Sequence, residues 1–378
     1  MKRIWSLDVL RGIAIAIMLF LDAPPDDIYD ILKHAPWAGL TVPDVALPMF
    51  AFAMGAGAAI SMSKRDPSTK RILKRAALMF AVGLFLGLLP KVIALLFHDD
   101  YSSLMWLTAT GYVPENFFDA VIVHGRLFGV IQRLAVIYAL GILIARAIRN
   151  EVGILIAAFA LLIVSSAGYH IYAPDNPFDI TRNISGAVDL IFPGVNHIYT
   201  PTFDPEGLYG SITGTASVLF GFLAGRVLID NAANREKILI FGAAGAILLI
   251  VGGLWSMFDI VAKNLWSTPY TLINAGGDFL LLALFTKLFD ASKSAKKFLQ
   301  PLAALGTNPL FFFVANQVVI IFLFMFSADG CVYDWLYEHT TQGLISTEFG
   351  ATLFCAIWCL LWLPIAEIFY RRGIVIKI

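Results

Sequence analysis

The stretch that decides the fold is "LKHAPWAGLTVPDVALPMF", residues 32–50, in which a polar segment leads directly into an apolar one. From Asp44 onward the chain stays apolar to about residue 63. A helix needs about 20 mostly apolar residues to cross the hydrocarbon core of a membrane, and this run has that length. Its polar half places His34 and Trp37 just before the run. The stretch therefore predicts a membrane helix whose mouth carries a titratable ring, an aromatic ring and an acid.

The composition of the whole chain is that of a membrane protein. Its 378 residues are 59% hydrophobic and 14% charged, whereas a soluble domain is about half apolar and a quarter charged. The net charge of zero argues against a nucleic-acid partner. The cysteines Cys331, Cys355 and Cys359 lack the spacing of a zinc site, so we expect no bound metal. We predict an all-α, polytopic transmembrane helix bundle that forms a single integral membrane domain over residues 1–378.

Ten apolar windows are long enough to be spans. They cover residues 5–22, 44–63, 76–97, 122–147, 151–170, 208–229, 238–258, 268–289, 302–326 and 348–370. If the N-terminus is cytoplasmic, most Lys and Arg residues fall in short cytoplasmic loops, and the longer loops opposite carry most of the acids. The positive-inside rule therefore predicts that both termini are cytoplasmic. Because Asp8 and Arg11 interrupt the first window, we predict a retained span rather than a signal peptide.

Charged residues inside the predicted spans need a partner or a cavity. Asp8 and Arg11 lie three residues apart on one helix face, where they can form an ion pair or line a site. Arg126 and Arg133 are seven residues apart in "RLFGVIQRLAVIY", with Gln132 beside them, so we predict two guanidinium groups on one face. Such groups need acids or an anionic ligand such as phosphate. The residues alone leave both alternatives open.

Two segments with polar residues precede predicted spans, and the one that carries His34 is predicted to lie on the side opposite the basic loops. His34 is most simply a surface residue, but its ordinary pKa of about 6.5 also suits a general base. Trp37 can anchor at the membrane interface or stack on a sugar. Asp44 can cap the second span. Glu206, in "FDPEGLYGS" at residues 203–211, suits the first turn of the following helix.

Small and amide-bearing residues in the spans predict close packing between helices. Gly83 and Gly87 lie one helical turn apart, and Gly55 and Ala59 have the same spacing in the second span. Such residues let two helix backbones approach each other. Asn316 and Gln317 are expected to line the interior of the bundle or to bridge helices.

Taken together, the motifs resemble the membrane acetyltransferases of the heparan-alpha-glucosaminide N-acetyltransferase type, a family with many bacterial relatives. The resemblance runs in order along almost the whole chain. It is carried by "SLDVLRGIAIAIMLFLD" (6–22), "KHAPWAGLTVPDVALPMFAFAMGAG" (33–57), "GVIQRLAVIY" (129–138), "FDPEGLYGSI" (203–212), "KNLWSTPYTL" (263–272) and "LGTNPLFFFVANQ" (305–317).

The resemblance implies an enzyme that takes acetyl from acetyl-CoA on the cytoplasmic side and delivers it to an amino sugar across the membrane. It implies a multi-pass protein of the bacterial inner membrane, and a homodimer would suit the family. The family histidine corresponds to His34, as base or as acetyl carrier. The family asparagine at the end of the first span is replaced by Asp22. A carboxylate there can orient the imidazole, but it lacks the amide N–H that could hold an acetyl oxygen.

The remaining site residues follow from the two substrates. We predict that the acceptor contacts Trp37, Asp44 and Glu206. Because CoA carries three phosphates, we predict that basic and amide groups line its path, namely Arg11, Arg126, Gln132 and Arg133.

Two other classes of function remain open. A secondary transporter would use embedded charges such as Asp278 and Glu367 as a relay, but it would favour an internal repeat, and none is apparent. A scaffold of the cell envelope would have no need for clustered polar groups at one helix mouth.

Overall fold

In this computed structural model the regular structure of the described residues is entirely helical. The residues described are 4–97, 111–291, 299–326 and 331–376. The α-helices are α1 (Trp5–Leu21), α2 (Ala46–Lys64), α3 (Thr69–Phe97), α4 (Val130–Ile148), α5 (Glu151–Tyr172), α6 (Ile184–Ile191), α7 (Gly210–Ile229), α8 (Asn234–Trp255), α9 (Thr268–Phe285), α10 (Gln300–Leu305), α11 (Pro309–Met325), α12 (Val332–Thr340) and α13 (Thr347–Arg371).

The helices confirm a polytopic membrane bundle. Eight of them are long and apolar enough to cross a membrane. α1 and α11 are shorter, at 17 residues each, and they bring the number to the ten that the sequence predicts. An even number of spans puts both ends of the chain on the same side of the membrane. That this side is the cytoplasm stays a prediction of the charge rule.

Two predicted spans are wrong in their bounds. The span predicted over 122–147 begins only at Val130, because residues 125–129 are not helical and Gly125 and Leu127 hydrogen-bond to His197 instead. The span predicted over 302–326 is broken into α10 and α11. Pro309 opens α11, and a proline disfavours helical backbone in the residue before it. The short helices α6 and α12 lie outside the predicted apolar windows.

The centre of the bundle is the contact between α2 and α7, where glycines bring the two backbones together. A Cβ atom on Gly55 would lie 2.0 Å from the Val218 carbonyl oxygen, and one on Gly221 would lie 1.9 Å from that of Phe52. Neither position can therefore accept a side chain without moving a backbone. This confirms the close packing predicted from Gly55.

The bundle has two differently charged ends. We call the end formed by the loop between α2 and α3, the C-terminal turn of α4 and the end of α13 the basic end. Arg146 on α4 reaches Asp66 of that loop at 3.2 Å, and α13 ends at Arg371. We call the other the far end, where the segment before α2 meets the start of α9 through a hydrogen bond from Tyr270 to the Asp44 carbonyl oxygen.

Candidate functional site

His34 lies at the far end and is held by a buried carboxylate. Its Nδ1 atom is 2.6 Å from Oδ1 of Asp44. The two residues meet because a single 3₁₀ turn at Asp30–Leu32 precedes His34 and another, Pro43–Val45, leads into α2. The side chain of Asp44 is fully buried, whereas that of His34 is 50% exposed. The ring is thus anchored on one edge and open to solvent on the other.

The Asp44 carboxylate is itself fixed by its neighbours. Its Oδ2 atom accepts hydrogen bonds from the backbone N–H of Ala35 and of Thr41 and from the Thr41 hydroxyl, at 3.2, 3.0 and 2.7 Å. With Oδ2 occupied by these donors, Oδ1 accepts the Nδ1–H of His34. This contact selects the tautomer in which Nε2 carries a lone pair. Such an imidazole can act as a base or as a nucleophile.

The carboxylate that contacts His34 is that of Asp44, and Asp22 makes other contacts. The Asp22 carboxylate, at the end of α1, accepts hydrogen bonds from Asn316 at 2.6 Å and from Gln317 at 2.8 Å. Sequence reasoning expected Asp44 only as a helix cap or an acceptor contact. The two amides of α11 bridge to α1, as predicted for them.

Trp37 links the histidine segment to the loop that contains Glu206. Its indole N–H donates to the Phe178 carbonyl oxygen at 2.9 Å. Its ring packs edge-on against Phe203, with centroids 5.2 Å apart. Both contacts are structural, and the residue's predicted place beside an acceptor stays a prediction.

Arg126 forms a buried ion-pair cluster with two acids. Its guanidinium contacts Asp204 at 2.6 and 3.0 Å and Glu206 at 2.5 Å, and it lies 4.6 Å from the Tyr199 ring centroid. Burial alone would raise the pKa of Glu206, but the nearby cations, Arg126 above all, outweigh burial and hold that pKa below its usual range. The predicted acceptor contact of Glu206 therefore competes with an ion pair already formed.

Arg133 reaches the same loop from a different direction. It lies in the first turn of α4 with 2% of its surface exposed. It donates to the Pro205 carbonyl oxygen and stacks 4.6 Å from the Trp266 ring centroid. The prediction that Arg126 and Arg133 share one helix face is wrong, because Arg126 precedes the helix. They nevertheless converge on residues 204–206.

A large cavity opens at the basic end. Its volume is about 750 Å³, and it lies between α2, α3, α4 and α11. The cations that line it are Arg11, Arg71, Lys74 and Arg75. Arg11 is 3.7 Å from Asp8, as its spacing predicts, whereas no Asp or Glu lines this cavity within the described chain. Sequence reasoning used Arg71, Lys74 and Arg75 only as topology markers, although their spacing on one helix already indicated a charged face.

A smaller pocket of about 260 Å³ lies toward the far end, between the same helices α3, α4 and α11. Arg126 and Gln132 line it, together with Lys91. The residues predicted to contact CoA are therefore divided. Arg11 lines the basic cavity, Arg126 and Gln132 line the smaller pocket, and Arg133 is packed behind them.

The two spaces follow one seam through the bundle. On α3, Val82 lines the large cavity and Gly83 lines the small pocket. On α11, Val314 lines the large cavity and Phe313 lines the small pocket. Adjacent residues of α3 and of α11 thus pass from one space to the next. The two spaces are therefore neighbours along these helices, with the larger toward the basic end and the smaller toward the far end.

The embedded acids that a transporter would use are placed differently. Glu367 pairs with Arg371 at 2.7 Å, one helical turn on. Asp278 is buried in α9, and its Oδ2 atom has no hydrogen-bond partner among the described residues. For metals, the described ranges contain no cluster of three or more His, Cys, Asp or Glu side chains that could hold an ion.

Comparison with curated proteins identifies relatives along the whole chain. Human heparan-alpha-glucosaminide N-acetyltransferase is 26% identical over an alignment of 440 residues in length, which covers 100% of this chain and 60% of the human protein. The mouse protein of the same name is 24% identical over 438 residues, covering 100% and 61%. The chain thus spans about three fifths of the length of these relatives, and no family model matches it. The chain is therefore similar along its whole length to proteins named heparan-alpha-glucosaminide N-acetyltransferase, which confirms the resemblance that its motifs indicated.

Proposed function

We propose that this chain is a membrane acetyltransferase of the bacterial inner membrane, which takes acetyl from acetyl-CoA at the basic end and transfers it to an amino sugar at the far end. The observation that carries the proposal is the basic cavity, whose lining includes four cations and no acid. Three of them, Arg71, Lys74 and Arg75, form no ion pair among the described residues. Phosphate groups bind most strongly to such cations.

The size and course of the cavity suit the donor. Its volume lies within the range of about 300–1,000 Å³ that is usual for small-molecule sites. The nucleotide of acetyl-CoA would contact the cations, and the uncharged pantetheine arm would extend between α3, α4 and α11 only as far as the small pocket. Its thioester would then approach the far end. Acetyl-CoA is a substrate here, and no metal is part of the proposal.

His34 supplies the base. In the neutral tautomer set by Asp44, Nε2 takes a proton from the acceptor amine as the amine attacks the thioester carbonyl carbon. The C–S bond breaks, CoA leaves as a thiolate, and the thiolate recovers a proton to give free thiol. A positioned base of this kind accelerates a reaction by about 100- to 10,000-fold. Alternatively, Nε2 attacks first and carries the acetyl group to the acceptor.

The proposal is tested with the purified full chain, acetyl-CoA and glucosamine, by following thiol release. The wild type should release thiol only when the amine is present, and His34→Gln should not. Absence of turnover with any amino sugar, or full turnover by His34→Gln, would contradict the proposal.

A second experiment separates the two routes. Acetyl-CoA with a labelled acetyl group is incubated with the protein without acceptor. Label on His34 supports the carrier route, and no label under conditions that sustain turnover supports direct transfer.

A further inference from the structure

The smaller pocket contains a buried ammonium group without a counter-ion. Lys91 lines the pocket and is only 8% exposed, and its ammonium lies beside Gly125. Among the described residues it has no hydrogen bond and no ion pair. Taking an ammonium group out of water costs several kcal/mol unless it is paired. A buried, unpaired lysine therefore needs a reason to be there.

Another buried lysine shows the usual solution. Lys237 on α8 is 9% exposed, and its ammonium donates to the Leu228 carbonyl oxygen at 2.8 Å. The other cation of the pocket, Arg126, is neutralised by Asp204 and Glu206. Lys91 alone of these three has neither a carbonyl nor a carboxylate against it within the described chain. The Lys91 ammonium thus lies in the pocket without a hydrogen-bonding or ionic partner among the described residues.

The face of α3 below Lys91 is shaped to leave space. Gly83, Gly87 and Lys91 follow one another at intervals of four residues, which places them on one helix face. A Cβ atom on Gly83 would collide with the Gln132 side chain, whereas one on Gly87 would meet nothing within 4 Å. The sequence-based prediction that both glycines serve helix packing is therefore wrong for Gly87. This glycine borders the open pocket.

The rest of the lining suits a sugar-sized polar molecule. Gln132 and Gln317 offer amide groups for hydroxyls, and Phe128 and Tyr199 offer aromatic surfaces. The volume of about 260 Å³ leaves room for a single small ring. Gln317 also holds Asp22, so the pocket adjoins the far end of the first helix.

We infer that this pocket binds the acceptor through a carboxylate or phosphate group, with the Lys91 ammonium as its counter-ion. The inference rests on the proposed acetyl transfer and deepens it, because it makes the acceptor an anionic amino sugar. The anionic group of such a ligand would supply the partner that the Lys91 ammonium lacks, and this contact would fix the orientation of the sugar. Lys91 is then a residue that decides between acceptors.

The test compares acceptors that differ in their anionic group. Thiol release is measured with glucosamine, with glucosamine 6-phosphate and with 2-amino-2-deoxyglucuronate. We expect kcat/KM for at least one anionic acceptor to exceed that for glucosamine by about tenfold, which corresponds to about 1.4 kcal/mol. The better of the two identifies phosphate or carboxylate. Lys91→Met should remove the preference, and Lys91→Arg should restore most of it.

A second pair of variants guards against misfolding. Gly87→Leu should fill the pocket and abolish the preference without a backbone collision. Gly242→Leu on α8 is the matched control, since a Cβ there also meets nothing within 4 Å, and it should keep the preference. A wild type without preference, or a preference that survives Lys91→Met, would overturn the inference.

A binding measurement separates this inference from the proposed function. Thermal unfolding of the protein is followed in sodium acetate, sodium phosphate and sodium chloride at equal ionic strength. A rise in Tm with acetate or phosphate that is absent in Lys91→Met supports the anion site even if no acceptor is turned over, and only the acetyl transfer then fails. If glucosamine is turned over but neither the acceptor preference nor the shift in Tm depends on Lys91, the proposed function stands and the anion site is excluded.

Discussion

The two ends of the bundle handle charge in opposite ways. At the basic end, Arg71, Lys74 and Arg75 face a cavity without ion pairs among the described residues. At the far end, Arg126 is bound to two acids and His34 to a third. Unpaired cations around an open cavity can receive an anion, whereas paired and buried ones fix a geometry. The difference supports the proposal that the cations of the basic end bind the charged donor, whereas the ion pairs of Arg126 and His34 hold groups in position.

The largest expected effect concerns the group held in position at the far end. His34→Ala should lower kcat by about 100- to 10,000-fold, the contribution of a positioned base. The KM for acetyl-CoA should change little, because the basic cavity is untouched. The measurement is steady-state thiol release. Asp44→Asn should lower kcat as well, because an amide does not fix the imidazole tautomer as a carboxylate does. A variant that raises the KM for acetyl-CoA and leaves kcat unchanged would contradict the different roles given to the two ends.

The next effect concerns stability at the far end. Arg126→Met should lower the free energy of unfolding by about 3 kcal/mol, the loss typical of breaking a buried ion pair. Glu206 and Asp204 would remain buried without their main cation. Thermal or denaturant unfolding in detergent measures the change. A variant as stable as the wild type would mean that the cluster is not a structural element.

Arg126→Met should also reverse the direction in which the contribution of Glu206 to the free energy of unfolding depends on pH. In the wild type the pKa of Glu206 is lowered, so its contribution to stability is present above the unfolded pKa of about 4.3 and is lost as pH falls further. In Arg126→Met burial dominates and raises that pKa, so stability is lost as pH rises above about 4.3. The stability deficit of the variant should therefore grow between about pH 4 and pH 7. A deficit that does not vary with pH would contradict this account of Glu206.

A smaller effect is expected at the basic end, where binding rather than stability should change. Arg71→Gln with Arg75→Gln should raise the KM for acetyl-CoA about tenfold, or about 1.4 kcal/mol. The kcat should be nearly unchanged, because neither residue is at the far end. Kinetics at several salt concentrations provide a second readout, since salt screens exposed charges. An unchanged KM would place the nucleotide elsewhere.

The smallest effect comes from the matched control at the same end. Arg146 pairs with Asp66 on the surface and does not line the cavity. Arg146→Gln removes a positive charge from the basic end, yet it should change stability by less than about 1 kcal/mol. The KM for acetyl-CoA should stay within about twofold, because an exposed charge is screened beyond about 8–10 Å. An increase as large as that of the cavity variant would mean that net charge, not contact, determines donor binding.

The fold was largely predictable because apolar length decides whether a helix can cross a membrane. The breaks were harder to predict. Pro309 lies inside an apolar window, and hydropathy does not show that proline lacks a backbone N–H. Arg126 was assigned to a helix by its spacing from Arg133, whereas its pairing with Asp204 and Glu206 depends on a loop 78 residues further along the chain. Contacts of that kind are not visible in a local pattern.

The site was predictable in its residue types and less so in their partners. His34 and Asp44 were singled out together, but the orienting role was given to Asp22 because of its place in the motif. The hydrogen bonds of Asp22 come from Asn316 and Gln317, nearly 300 residues away. Lys91 was passed over because a lysine near the end of a predicted span usually reaches to water. Its burial depends on the packing of α3 against α4 and α11.

The central claim is that donor and acceptor enter from opposite ends of one protein. It is tested most directly in sealed vesicles with the protein in one orientation, established by protease access to a tag placed after Ile378. Acetyl-CoA on the side of the basic end and glucosamine or its anionic derivatives on the other side should give acetylated sugar inside and free thiol outside, or the reverse in inverted vesicles. Product formed only when both substrates are on the same side would contradict the account.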